Sequence, residues 1–440
     1  MVRILGSAVF ATMLSVSAFA GNVLVVDAGG SGSFTQIQPA VLAAVDGDAI
    51  LVKSGNYTGF SISDKTLSVV ADNGANVVVQ GQVRVDGLAS SRSVLISGLR
   101  IVPSASSAFA AQNDLGGVRV HGCWIAGANG SANGADGLRG AELANIADIA
   151  FTGCALSGGH GSPCQDCGQC VSGAGGDALL SESSSVALHN CMFDGGNGGD
   201  GVPMGCGFAD GSSGGPGGSA CVVQGGFLFV EASAFQGGDG GRGGDGLGNL
   251  CLGGSANGCG GAGADGLRLT GSSPLAVLLG NNLAGGAGGT HGAVNPCFGD
   301  QCGGSAAPNG AGINAPAGTV TQLAGTARAL TAPSVARENT IIPIAFHGKP
   351  GDHVWIYLAR RPSFSLNLPF HGVNLTPVPP LARLISFGTI PASGTLDTHF
   401  VLPDYGMDSK TLFMQSLFRN SANERFLASP LTLVELDSAF

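Results

Sequence analysis

The chain has 440 residues, of which 77 are glycine and only 11% are charged, and its formal net charge is −10. That acidic balance excludes a nucleic-acid partner, because phosphate binding needs a basic stripe. So few charges also exclude a surface of polar helices, and the glycines lack the strict three-residue period of collagen.

Residues 1–20 read as a secretory signal peptide, with Arg3 as its positive start, Ile4 to Val16 as its apolar segment and Ala18-Phe19-Ala20 as the cleavage site. No Cys follows the cut as a lipid anchor would need, and no later apolar run is long enough to span a bilayer. The mature chain is therefore expected to be secreted or held at the cell surface, and not to span a membrane.

The next segment runs Val25-Val26-Asp27-Ala28-Gly29-Gly30, then Phe34-Thr35-Gln36-Ile37-Gln38 with Ala40-Val41. Asp46-Gly47-Asp48, Ile50-Leu51-Val52 and Gly55-Asn56-Tyr57 follow. These residues resemble the opening of the pectin-lyase-like right-handed parallel β-helix superfamily over about 40 residues, and the strand pattern resembles it loosely to about residue 325. The resemblance implies an amphipathic helix around Ala40-Val41 capping the first coils. Capping has its own rationale, since a bare end would expose an unpaired strand edge.

The superfamily's enzymes supply a test. Polygalacturonases carry Asn-Thr-Asp, Asp-Asp, Gly-His-Gly and Arg-Ile-Lys, whereas this chain has Gly159-His160-Gly161 without an Asp-Asp pair or Arg-Ile-Lys. Cys164-Gln165-Asp166 lacks the apolar context of a pectinesterase motif. A glycosidase needs two carboxyls facing each other across a cleft. The strands offer only scattered acids, Asp148, Glu182 and Glu231, so no catalytic residue is assigned and His160 reads as a polar loop residue.

From Val94 onward one phrase recurs. Aligned on Leu99, Cys123, Cys154, Cys191, Ser233 and Asn281, the copies have apolar residues five and three positions before and two after. The residue just before is Gly98, Gly122, Gly153, Asn190, Ala232 or Gly280, and Gly and Asn accept the left-handed backbone of a sharp bend. Each copy is thus a strand, a bend and a second strand. So short a unit buries its apolar face only when stacked, which predicts a parallel solenoid. Spacings grow through 24, 31, 37, 42 and 48 residues, so loops of increasing length are inserted at one corner.

Those loops begin at Gly158, Gly195, Gly237 and Gly285 and are nearly free of large apolar residues. One reading is that successive loops stack through main-chain hydrogen bonds into a second layer. Another is that Asp-Gly-Leu simply marks the turn entering each coil, and a third is calcium. Gly195 to Val202, Gly240 to Leu247 and Gly260 to Leu267 fit G-G-x-G-x-D-x-U, with Asp200, Asp245 and Asp265 as candidate ligands and looser copies at Asp136 and Asp177. No other cofactor is expected.

The twelve cysteines divide in two. Cys123, Cys154 and Cys191 fall in the inward column, where parallel side chains about 4.8 Å apart suit a thiol ladder better than disulfides; Cys221 falls near a strand start. Cys164, Cys167, Cys170, Cys206, Cys251, Cys259, Cys297 and Cys302 are loop residues and disulfide candidates in an exported chain. Cys251–Cys259 and Cys297–Cys302 are the closest local pairs, and pairing between loops serves as well. Cys164, Cys167 and Cys170 lack a fourth ligand for a metal.

Near Ala315 to Thr331 glycine thins and proline, arginine and aromatics increase, which sets the division 1–20, 21–325 and 326–440. The last part reads as strands at Thr340 to Phe346, Val354 to Leu358, Ala382 to Phe387, Thr395 to Leu402, Thr411 to Phe418 and Leu431 to Leu436. A small β-sandwich follows, resembling the C-terminal modules of exported bacterial repeat proteins. That resemblance implies capping of the last coil, attachment or export recognition. Asp352, His353, Trp355, Arg360 and Arg361 are candidates for a glycan site.

The fold expected is all-β: a right-handed parallel β-helix with Gly-rich loops, followed by a small β-sandwich. The leading function is a non-catalytic surface or extracellular role, structural, adhesive or glycan-contacting, toward polysaccharide or cell-envelope components. The alternative is a polysaccharide lyase or glycoside hydrolase working in the β-helix groove.

Overall fold

The computed structural model describes residues 21–164, 171–203, 210–246, 255–303, 306–359, 361–375, 384–402, 404 and 406–440. The signal segment and Cys167, Cys170, Cys206 and Cys251 lie outside them.

The protein is all-β, and its first three quarters form large parallel sheets around one apolar core. One sheet has 16 strands and a second has 8. Most circuits contribute two strands to the first and one to the second, as with Gly117–His121, Trp124–Ala126 and Ala141–Ala144, while in Leu179–His189 and Cys221–Glu231 the two first-sheet positions run on as one strand. The next circuit pairs with the last in parallel, Val118 beside Ile149 and Ile125 beside Leu156.

The sequence columns are the observed ladders. Val94, Val118, Ile149, Val186, Leu228 and Ala276 are in register, as are Ile101, Ile125, Leu156, Phe193, Phe235 and Leu283. Nearly all of these are buried in the main core, where Phe193 and Phe235 stack at 4.8 Å. At each bend the backbone is left-handed, with φ of +56° at Gly122, +52° at Asn190 and +50° at Ala232.

Just past each bend a side chain ties the circuits together. The Cys154, Cys191 and Ser233 amides donate to Cys191 Sγ (3.4 Å), Ser233 Oγ (3.1 Å) and Asn281 Oδ1 (2.8 Å). Cys123, Cys154 and Cys191 are buried free thiols, as the spacing argument requires; so is Cys221, which opens the strand Cys221–Glu231. The hydrogen bond with Cys154 and burial push the Cys123 thiol well above the usual range, and burial with neighbouring Cys191 does the same for Cys154. They fill space and carry hydrogen bonds.

The helix Ile37–Ala43 packs Ile37, Ala40 and Val41 against the first circuits. Its outer side leaves Leu42 exposed.

The C-terminal part has a three-stranded sheet (Ala329–Thr331, Ile341–His347, Thr395–Val401) and a six-stranded one that includes His353–Ala359, Ser409–Arg419 and Leu431–Leu436. Residues from both, among them Phe346, Ile356, Met414 and Leu433, share one core. Val335–Arg337 and Arg425–Leu427 are strands that the turn pattern did not reveal. Rather than sitting only over the last coil, this part lies along the flank of the first parallel sheet. Val335, Val434 and Leu436 pack on Ala49, Leu51, Val70 and Leu95, while Val373 and Leu375 pack on Ala150, Ala187, Phe229 and Val277. Those residues are the outward positions of the sheet, and they are small or apolar because they are covered.

Candidate contact face

The glycine loops build the most regular surface of the molecule. Gly237, Gly240, Gly243 and Gly246 donate to the carbonyls of Ala284, Ala287, Thr290 and Ala293 one circuit on, at 2.9–3.0 Å. Gly238, Gly241 and Gly244 instead donate to Gly218, Gly215 and Ser212 in the returning limb of the preceding loop, at 2.8–2.9 Å. One residue in three faces the next circuit, one faces the returning layer and one faces solvent. That three-residue period is that of a polyproline II chain, which makes no bonds within itself and has all its amides free for neighbours. Two such layers, one of outgoing and one of returning limbs, form a slab continuous with the sheets.

The slab accounts for the glycine content. A Cβ on Gly238 would stand 2.0 Å from the Gly196 carbonyl oxygen. A side chain at these inner positions would push successive circuits apart.

The outward residues carry the polar chemistry. The amides of His160, Asn197, Asp239 and Ala287 donate to Asn129 Oδ1, His160 Nδ1, Asn197 Oδ1 and Asp239 Oδ1, at 2.7–3.0 Å. Each side chain thus accepts the one amide that the next circuit leaves free. His160 is a rung of this ladder, as its loop context suggested.

The candidate calcium ligands do the same work. Asp200 Oδ1 accepts the Arg242 amide at 2.8 Å, Asp245 Oδ1 accepts the Ala293 amide at 2.7 Å, and Asp265 Oδ1 accepts the Ala311 amide at 2.9 Å. Asp245 also pairs with Arg242, and Asp265 Oδ2 accepts from Asn314 Nδ2 at 2.9 Å. Asp136 and Asp177 hold the Ala174 and Ser219 amides. Asp265 lies on the returning layer and the other two on the outgoing one, so the structure does not bring the three together. Among the described residues no three His, Cys, Asp or Glu side chains converge on a metal position.

Beside the outgoing layer, the second sheet turns outward one column in register: Arg100, Trp124, Ala155, Met192, Ala234 and Asn282. The Arg100 guanidinium lies 3.9 Å above the Trp124 ring, and Trp124 and Met192 are 46% and 58% exposed. Sequence reasoning passed over this pair. The signal was present, because each stands between two inward residues of a period-two strand. Asp194, in the neighbouring column, is raised above the usual carboxylate range by partial burial. Sheet and slab together give one face of aligned columns, with Arg100, Trp124 and Met192 at one side and carboxamides and carboxylates at the other.

The strand acids go elsewhere. Asp148 is gripped by Arg119 at 2.6 and 2.9 Å, and Glu231 accepts from the Arg328 amide at 3.2 Å and meets His189 Nδ1 at 3.0 Å. All are buried in the seam beneath the C-terminal part. Burial and nearby Arg119 lower His121 to about 3, which holds it neutral beside Thr432. Glu182 alone of the three acids is exposed. Of the C-terminal candidates, Asp352 is buried against Arg328 at 2.5 Å, His353 and Trp355 lie ring against ring at 4.3 Å, and Arg361 is exposed; Arg360 lies outside the described residues. They do not form one site.

Cys259 and Cys302 form a disulfide across 43 residues, and Cys164 and Cys297 are also disulfide-bonded. The link between loops therefore displaces the local pairs Cys251–Cys259 and Cys297–Cys302. No protein-family model matches this chain, and no curated protein matches it in sequence.

Proposed function

We propose that this chain is an exported surface or extracellular protein with the architecture of a right-handed parallel β-helix related to the pectin-lyase-like superfamily. Its face of aligned columns serves a structural or adhesive role by contacting polysaccharide or another cell-envelope component, without catalysis. One observation carries this reading: the polar side chains of the face are fixed at the spacing of the circuits by the amides they accept, while Asp148 is spent on an ion pair and Glu231 on hydrogen bonds in a covered seam. A rigid surface loses little conformational freedom on contact, which favours many weak, repeated interactions.

The test is a pull-down of the mature protein on insoluble cell-envelope polysaccharide, with Trp124→Ala and a double Asp200→Lys, Asp239→Lys variant. Adhesion lost in these folded variants supports the face. Unchanged adhesion, or release of sugar fragments by the wild type, would sink it.

A further inference from the structure

The segment after His353–Ala359 crosses the flank of the first sheet and is held there at two points. Pro362 sits so tightly on Gly117 that a Cβ on that glycine would come within 2.3 Å of Pro362 Cγ. Phe364 meets Phe227 edge-on at 5.7 Å. Between these anchors and the sheet, Arg361 stands at the junction of two hollows. One, of about 280 Å³, is lined by Ser90, Arg92, Asp148 and Ser363. The other is narrower and lined by Thr66, Ser68, Ser91, Ser93 and Thr411, with Ser68 and Thr411 hydrogen-bonded across the seam at 2.8 Å.

The charges around Arg361 are already committed. Arg92 is paired with Asp46 and with Asp64, and Asp148 with Arg119. Arg361 has no ionic partner among the described residues. An exposed guanidinium next to an anchored proline, lining the same hollows as several hydroxyls, offers a planar fork and several donors to an oxyanion.

We propose that the seam around Arg361 is a binding site for an oxyanion, the sulfate or carboxylate of a small acidic saccharide. The hollow is below the usual size of a drug-sized pocket, which fits one charged group and its sugar ring better than a chain. Arg361 supplies the charge, and the serines supply donors that a neutral sugar would use less well. This site stands apart from the face of aligned columns and does not rest on its proposed role.

The experiment is ligand-observed NMR on the mature protein at low salt, with inorganic sulfate, glucuronate and glucose as probes. Sulfate and glucuronate should bind saturably and glucose should not. Sulfate alone would make the site one for sulfated sugars, and glucuronate alone one for uronates. Arg361→Ala should weaken binding by about tenfold or more, Arg361→Lys by less, and Arg268→Ala, on the strand Leu267–Thr270 and lining neither hollow, not at all. Each variant's unfolding midpoint checks that it is folded. Equal binding of glucose, absence of binding by both anions, or an Arg361→Ala protein that binds like the wild type would overturn the assignment.

Discussion

Arg119 and Asp148, on adjacent strands of the first sheet, meet in a two-point ion pair whose guanidinium also donates to the Leu375 carbonyl at 3.2 Å. One side-chain pair thus joins two successive circuits to the C-terminal part. Asp148→Ala leaves Arg119 buried without its counter-charge, which costs about 3–5 kcal/mol. Replacing both by apolar residues should restore much of that loss. Thermal unfolding of the single and double variants checks it, and a single variant as stable as the wild type would contradict the account.

The slab makes a positional prediction. Gly238→Ala should destabilise by about 1–3 kcal/mol through overpacking against the Gly196 carbonyl. Its neighbour Asp239→Ala removes one hydrogen bond to an exposed amide and should cost about 1 kcal/mol or less. Denaturant unfolding of the two variants would show the reverse order if the inner positions were loosely packed.

Calcium should matter little. Asp200, Asp245 and Asp265 each spend an oxygen on a backbone amide and lie on two different layers. The unfolding midpoint of the mature protein is expected to be the same in calcium and in EGTA. A rise with calcium would mean that the folded state binds the ion.

The Cys259–Cys302 link closes a loop of 43 residues, and the chain-entropy account gives about 4 kcal/mol for a loop of that size. Cys259→Ser should lower the midpoint and open the 256–303 loop to protease before the sheets unfold. Limited proteolysis with mass spectrometry reads both effects. Cleavage no faster than in the wild type would mean that the slab holds the loop by itself.

Glu435 lies opposite Lys410 in the six-stranded sheet, with both carboxyl oxygens buried and without hydrogen-bond partners among the described residues. Burial pushes it up to about 7, with Lys410 opposing. The folded protein therefore holds a proton that the unfolded chain has lost, and stability from this group falls as pH rises from 4.5 to about 7. Glu435→Gln should match the wild type near pH 4 and exceed it at pH 8, on the order of 1 kcal/mol. Unfolding curves at the two pH values decide; an equal difference at both would remove titration as the cause.

Much of the fold was legible because a strand alternates with period two, and stacked circuits repeat the same choice at the same slot. Val118, Ile149 and Val186 could be aligned from the sequence alone because each must fill the same core position. The Gly-Gly starts likewise marked the slab, since only glycine fits between backbones 2 Å from a Cβ. Trp124 and Met192 were readable in principle as apolar residues in outward slots. Asp200 was not, because a motif of glycines and one aspartate has the same letters whether the carboxylate meets a cation or an amide.

By itself, then, the sequence determined what is local and periodic: the strands, the left-handed bends, the inward columns and the thiols that stay reduced within them. The tertiary structure alone decided what depends on meeting across circuits. The insertion lengths bring Cys259 to Cys302, set Asp239 against Ala287, and lay the C-terminal sheets along the flank where Arg119, Asp148 and Leu375 converge. Those partners stand tens to hundreds of residues apart. Their meeting is fixed by how many residues each loop spends before the chain returns to the stack, and no local pattern records it.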